Sequence, residues 1–276
     1  MSSGGTKGAG GAAGASVGAG GATPQPTLDP IIPAVSGDCP TFQDGTITLM
    51  GLDGIKLAVG KRQAEGAAPM LFYWHGTGST SDEYTNMAAP VATGIIDAGG
   101  VIVSFQGTTG GDLYSGTNIF GKGDLVLTDQ LVACAVRDAG IDPRRIYTTG
   151  CSAGGIFATS MAALRSSYVA AVAPNSGGEV VDVPFQNSHT PPLMAIHGAP
   201  GSTLVIDFAQ TALTAEMAFK GRGGFAIDCN TRAGSCSGAP LAGDVWTFFQ
   251  AHPFGADPEP WTASLPPGFS SECLIQ

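Results

Sequence analysis

Gly150-Cys151-Ser152-Ala153-Gly154 fits the pattern G-x-S-x-G. A serine on a sharp strand-to-helix turn stands clear of its surroundings and can attack a carbonyl carbon, but the turn tolerates only small neighbours. Gly150, Ala153 and Gly154 meet that need. The amide after the serine opens a helix, where its N–H can meet a developing oxyanion. In a chain with 42 glycines the short pattern is only a moderate signal, so its flanks carry the argument. Cys151 adjoins the serine, yet neighbouring side chains on a tight elbow point apart, which leaves the hydroxyl as the nucleophile rather than the thiol.

Such a serine must be positioned by a strand before it and a helix after it. Arg145 to Thr149 reads as the strand and Ile156 to Ser166 as the helix. Gly45 to Lys61 reads as a hairpin around a turn containing Asp53-Gly54. Short apolar runs then recur at Met70 to Trp74, Val101 to Phe105, Tyr168 to Ala173, Pro192 to Ile196 and Phe225 to Asp228. Helical stretches are expected from Ser81, which can cap its own helix, and over Leu125 to Asp138, Val205 to Lys220 and Leu241 to Ala251. Buried runs alternating with helices predict an α/β fold, a mainly parallel central sheet with helices on both faces. In such a sheet ligands bind at the C-terminal ends of the strands.

At that edge Trp74 ends a strand and His75-Gly76-Thr77-Gly78 follows. The backbone N–H groups of Thr77 and Ala153 are the expected oxyanion pair, with His75 shaping the loop. The stretches FYWHGTG, DPRRIYTTGCSAGG, VAPNSGG and MAIHG together resemble the α/β-hydrolase superfamily, and within it the secreted esterases that include polyhydroxybutyrate depolymerases and feruloyl esterases. The resemblance runs from about Cys39 to the C-terminus. It implies the α/β-hydrolase fold and hydrolysis of carboxylic esters through an acyl-serine, with no metal or organic cofactor.

Chain order in this fold is serine, acid, histidine. The acid is expected after Ile196, but Ala199 to Thr203 holds no carboxylate, so Asp207 is the first available. Its alternative role is a helix-start aspartate favoured by the helix dipole. The base is expected after Asp228, where the resemblance places a Gly-His pair and this chain has Gly234-Ser235. Of the four histidines, only His252 has the expected order after Asp207. The helix before it, at ~1.5 Å per residue, carries the chain roughly 16 Å from the catalytic edge, which favours a capping role instead. His197 is expected to support the acid loop, and His189 to enter from the opposite edge. The rival function is a noncatalytic hydrolase-fold binding protein without the general-base histidine.

Composition limits the remaining classes. Charged residues are 12% of the 276 and the net charge is -10, which excludes a basic nucleic-acid groove. No apolar run of about 18 residues offers a membrane span. Residues 1–35, rich in Gly, Ala and Pro, read as a disordered tether, with residues 36–276 as one hydrolase domain. The first residues have neither the positive nor the apolar stretch expected of an export signal, yet six cysteines point to an oxidising, extracellular or cell-surface setting. The expected disulfides are Cys229 with Cys236 and Cys39 with Cys273, leaving Cys134 and Cys151 to pair or stay free. The Gly-rich stretch from Gln106 to Asp124 lacks a phosphate-loop ending and is expected to shape the ester cleft, with Tyr114 and Phe120 as lining or packing residues. Trp246, Phe248 and Phe249 are expected to pack the last helix, and Trp261 to pin the tail.

Overall fold

The computed structural model describes residues 1, 4, 28–62, 67–107, 119–201, 206–237 and 239–276. Tyr114, most of the Gly-rich loop and most of the expected tether lie outside the described residues.

The hairpin forms as β1 (Gly45–Leu49) and β2 (Leu52–Val59). Its turn is Met50-Gly51, not Asp53-Gly54, because Leu49 pairs with Leu52. Both turn residues take positive φ, 51° and 79°, as a two-residue turn that follows the strand twist requires. Asp53 and Gly54 instead lie inside β2, where the Asp53 carboxylate accepts from the Thr48 hydroxyl.

The buried runs become β3 (Ala68–Trp74), β4 (Val101–Phe105), β5 (Ile141–Cys151), β6 (Ala171–Asn175), β7 (Leu193–His197) and β8 (Ala226–Asn230). A short β9 (Cys273–Ile275), which carries no recognisable apolar run, closes one edge. Sheet order is β1-β2-β4-β3-β5-β6-β7-β8-β9, parallel from β4 to β8 and antiparallel at both margins.

The helices are α1 (Tyr84–Met87), α2 (Ala89–Asp97), α3 (Lys122–Asp138), α4 (Ala153–Leu164), α5 (Phe208–Gly221) and α6 (Ala242–Ala251). Ser81 caps none of them; Glu83 precedes α1, and the Ser81 N–H donates to the Gln106 side chain at 3.2 Å. Alternate strand residues face opposite layers. Phe72 and Trp74 pack with Phe157 and Phe219 of α4 and α5, while Leu71 and Tyr73 pack with Ile95 and Phe248 of α2 and α6. Both faces are therefore covered, and every residue of β3 and β4 is buried. Phe248 and Phe249 are fully buried, and Trp246 lies against Gly94 of α2. Trp261 fixes the tail by edge contacts with His252 and Phe269.

Leu28 to Ser36 run along the domain, with the Ile31 N–H donating to Ser167 and Ser36 bonded to Gln130. Among the described residues no helix is long and apolar enough to cross a membrane.

All six cysteines pair, but as Cys39–Cys134, Cys151–Cys236 and Cys229–Cys273. Neither expected pairing forms. Cys229 stands directly opposite Cys273 in the β8–β9 ladder, which claims it before the short loop to Cys236 can.

Candidate active site

β5 ends at Cys151 and α4 begins at Ala153, so Ser152 is the whole turn between them. Its φ of 54° and ψ of -118° are costly for a residue with a Cβ, and such strain persists only where the surroundings enforce it. The Ser152 N–H donates to the Asn175 carbonyl at 3.0 Å, and its own carbonyl accepts from Ile156 at 2.9 Å. The small neighbours are obligatory. A Cβ on Gly154 would sit 1.9 Å from the Trp74 carbonyl oxygen, and one on Gly155 would sit 2.9 Å from that of Asn175.

The loop after β3 lies beside this turn. His75 is buried, with Nδ1 at 2.8 Å from the Gly76 carbonyl and Nε2 at 2.9 Å from the Gln106 carbonyl. The Gly76 N–H is held by both oxygens of Glu83, at 3.0 and 3.2 Å, and Glu83 also accepts from the Tyr73 hydroxyl at 2.8 Å. The Gly76 carbonyl accepts from the Ser79 N–H at 3.1 Å. In a planar trans peptide the C=O and the next N–H point in opposite directions. Because the Gly76 carbonyl faces His75 Nδ1 and the Ser79 N–H, the Thr77 N–H points away from both. Ala153 is the first residue of α4, where no intrahelical carbonyl can take its N–H. Glu83 escaped the sequence reading: its partner is a backbone amide, which no side-chain spacing reveals.

The loop after β8 is tied to the elbow by the Cys151–Cys236 disulfide, with Cα atoms 5.6 Å apart. Its Cys236 N–H donates to Ser176 Oγ at 2.7 Å. The Ala233 carbonyl crowds Gly198, where a Cβ would lie 2.1 Å away, so the loops after β7 and β8 pack together. Ser235 is exposed next to the half-cystine.

Each of the two remaining site residues of the sequence reading is bonded to groups other than Ser152. Asp207 is exposed and caps α5, accepting from the Ala209 and Gln210 N–H groups at 3.0 and 3.3 Å. His252 follows α6 and is fully buried, with Nδ1 at 2.7 Å from the Phe248 carbonyl and Nε2 at 2.8 Å from Glu259. The next residues reach the start of β5, where the Phe254 N–H donates to Arg144. Eight residues of strand at ~3.3 Å each, roughly 26 Å, separate that edge from Ser152. The structure therefore places His252 at the edge opposite Ser152, and Asp207 as the cap of α5.

His197 ends β7 and pairs with Asp228 at 2.7 Å while its Nδ1 faces the Gly198 carbonyl at 2.7 Å. Burial opposes its charge, but the Asp228 carboxylate and the Gly198 carbonyl prevail and raise the imidazole above its usual range. Glu216 of α5 is buried beside this pair. Burial first, then the Asp228 carboxylate, pushes its carboxyl up to about 7, against the pull of His197 and Lys220. His189 lies before β7 and stacks 4.0 Å from Phe254, at the same far edge as His252. All four histidines are thus committed to partners other than Ser152. Phe120, the described one of the two expected cleft aromatics, is fully buried against Trp74, His75 and Phe157.

The sequence matches no protein-family model and no curated protein. Solved structures do match. The native form of a protein called pOPH superposes with a TM-score of 0.70 at 15% identity, over 86% of this chain and 97% of that one. A Bacillus cereus carboxylesterase gives 0.54 at 14% identity, over 71% and 92%. An esterase from Pyrobaculum calidifontis gives 0.53 at 17%, over 75% and 84%. The chain has the α/β-hydrolase fold. The turn at Ser152 lies at the C-terminal edge of the parallel strands, the same edge as the loops after β3, β7 and β8.

Proposed function

We propose that the protein is an extracytoplasmic serine hydrolase acting on carboxylic esters through an acyl-serine intermediate. The observation that carries this reading is Ser152 at φ 54° between β5 and α4; the Thr77 amide and the helix-start Ala153 amide serve in it as the oxyanion donors. The hydroxyl attacks the ester carbonyl, the two N–H groups stabilise the oxyanion, the bond to the ester oxygen breaks, and the serine proton ends on the departing alcohol. Water then cleaves the acyl-serine. Three disulfides support an oxidising compartment, and composition supports a tether over residues 1–27, ahead of the segment from Leu28 that bonds to the domain.

The proton acceptor sets the rate. With no imidazole at Ser152, a hydrolase keeps only the roughly 10³- to 10⁴-fold advantage over water that oxyanion donors and binding supply. Those same committed histidines favour a second reading, a noncatalytic protein that binds an ester, glycan or partner at the elbow edge. Turnover of p-nitrophenyl butyrate by the wild type and by Ser152→Ala, with fluorophosphonate labelling followed by intact mass, separates the two. Labelling at Ser152 and a rate lost in Ser152→Ala are expected. Equal rates and no label would leave the binding reading.

A further inference from the structure

Ester exchange at a serine moves two protons, one off the attacking hydroxyl and one onto the departing oxygen, and in a triad a single imidazole handles both. The four histidines of this chain all have described positions. His75 and His197 stand at the same edge as Ser152, at the ends of β3 and β7. Each faces oxygen acceptors with both ring nitrogens. His75 meets the Gly76 and Gln106 carbonyls at 2.8 and 2.9 Å, and His197 meets the Gly198 carbonyl and Asp228, both at 2.7 Å. A ring nitrogen turned to such a partner directs neither its proton nor its lone pair at a serine. His189 and His252 lie at the opposite edge, against Phe254 and Glu259.

The loop that the Cys151–Cys236 disulfide ties to the Ser152 turn brings hydroxyls: Ser235 next to the half-cystine, and Thr231 and Ser237, bonded to each other at 2.7 Å. A hydroxyl relays a proton but holds no spare one at neutral pH. Glu83, beside the loop after β3, gives its oxygens to the Gly76 N–H and the Tyr73 hydroxyl. The two amides assigned to the oxyanion meet charge on the carbonyl oxygen and leave the departing oxygen unassisted.

That departing oxygen must therefore carry its own negative charge. A phenol ionises at about 10, whereas water, close to a simple alcohol, ionises only at about 15.7. Phenolate departs unaided and alkoxide does not. An acyl-serine is itself an ester of a simple alcohol, so the same bar stands against its hydrolysis.

We propose, resting on Ser152 as the nucleophile, that the site takes acyl groups from phenolic esters and not from alkyl esters, and keeps them as a long-lived acyl-serine. In the acylation the bond from Ser152 Oγ to the carbonyl carbon forms. The bond from that carbon to the aryl oxygen breaks, its electron pair leaves with the phenolate, and the serine proton passes to water. Hydrolysis by water then frees the carboxylic acid and the serine slowly, so the fast phase opens one ester per molecule.

The test mixes the full chain rapidly with p-nitrophenyl, phenyl and methyl butyrate, follows the released phenol or alcohol, and reads the intact mass of the quenched protein. A burst of about one phenolate per protein is expected, with one butyryl group on the chain and a slow phase after it. Acylation should fall steeply from p-nitrophenyl to phenyl butyrate and by roughly a hundredfold or more again to methyl butyrate. Ser152→Ala should show neither burst nor butyryl group. A fluorophosphonate, whose fluoride leaves without a proton, tests the serine separately. Methyl butyrate acylating within about tenfold of phenyl butyrate, or p-nitrophenyl butyrate turning over with no burst and an unmodified chain, overturns the proposal, while fluorophosphonate labelling of Ser152 leaves the nucleophile standing. No acylation by any ester together with no fluorophosphonate label overturns both.

Discussion

Ser152 and Ser235 each adjoin one half of the same disulfide, Cys151–Cys236, whose Cα atoms are 5.6 Å apart. The covalent tie holds the loop after β8 beside the turn that carries Ser152, and the residue next to the half-cystine is a hydroxyl.

Ser235→His therefore places an imidazole on the loop that the disulfide ties to the Ser152 turn. General-base assistance is worth about 10²- to 10⁴-fold, and without a carboxylate to orient the ring the lower end, roughly a hundredfold, is expected in p-nitrophenyl butyrate turnover. Adding Ser152→Ala to Ser235→His should abolish the gain. An unchanged rate in a folded Ser235→His protein would show that residue 235 does not face Ser152.

The disulfide itself closes a loop across a sequence separation of 85 residues. Replacing Cys151 and Cys236 together by Ala should lower stability by about 2–5 kcal/mol through the unfolded chain. Fluorophosphonate labelling of Ser152 should slow as well, since the loop loses its anchor. Urea unfolding and labelling kinetics on the same preparation read both effects.

Asp207 distinguishes an acid from a cap. Its carboxylate accepts two α5 N–H groups, so Asp207→Ala should cost about 1 kcal/mol by denaturant unfolding, and Asp207→Asn only a fraction of that. Neither should change the reaction of Ser152 with fluorophosphonate. A large fall in that reaction for Asp207→Asn, with the fold intact, would make Asp207 part of the chemistry.

Stability should depend on pH through the Glu216–Asp228–His197 group. Glu216 holds its proton up to about 7 when folded but releases it near the ordinary carboxylate range when unfolded, so stability falls as pH rises across that window. His197, raised when folded, contributes stability that is full below the unfolded imidazole range and is lost as pH climbs through its folded value. His189 acts oppositely, because its lowered value of about 4 makes stability rise from there to the unfolded imidazole range. The terms oppose one another in mild acid and the fall emerges above neutrality. Urea midpoints should stay nearly level in mild acid and decline above neutrality, and Glu216→Gln, which has no proton to lose, should uncover the rise from His189 in mild acid while leaving the decline above neutrality. A midpoint that rises steadily in the wild type would contradict this.

The parallel core was legible because strands covered on both faces leave unbroken apolar runs, as in Met70 to Trp74 and Val101 to Phe105. The elbow was legible because Gly150 and Gly154 answer a steric demand local to the turn. What depends on which strands become neighbours was not. Cys229 meets Cys273 only because β9 lands beside β8, and β9 has three residues with Leu274 largely exposed. Asp53-Gly54 is favourable turn chemistry, but the pairing of Leu49 with Leu52 placed the turn at Met50-Gly51. Chain order made His252 a possible base, and helix length counted against it; the structure puts it at the far edge with Glu259.

β9 also governs how the molecule meets copies of itself. A sheet nine strands wide would ordinarily end in a long row of open amides on which another chain could template. Here that margin is reduced to the three residues Cys273–Ile275, cross-linked to β8 through Cys229. The protein can therefore carry a broad apolar sheet into a crowded setting while offering strand-by-strand self-association almost no foothold on that side.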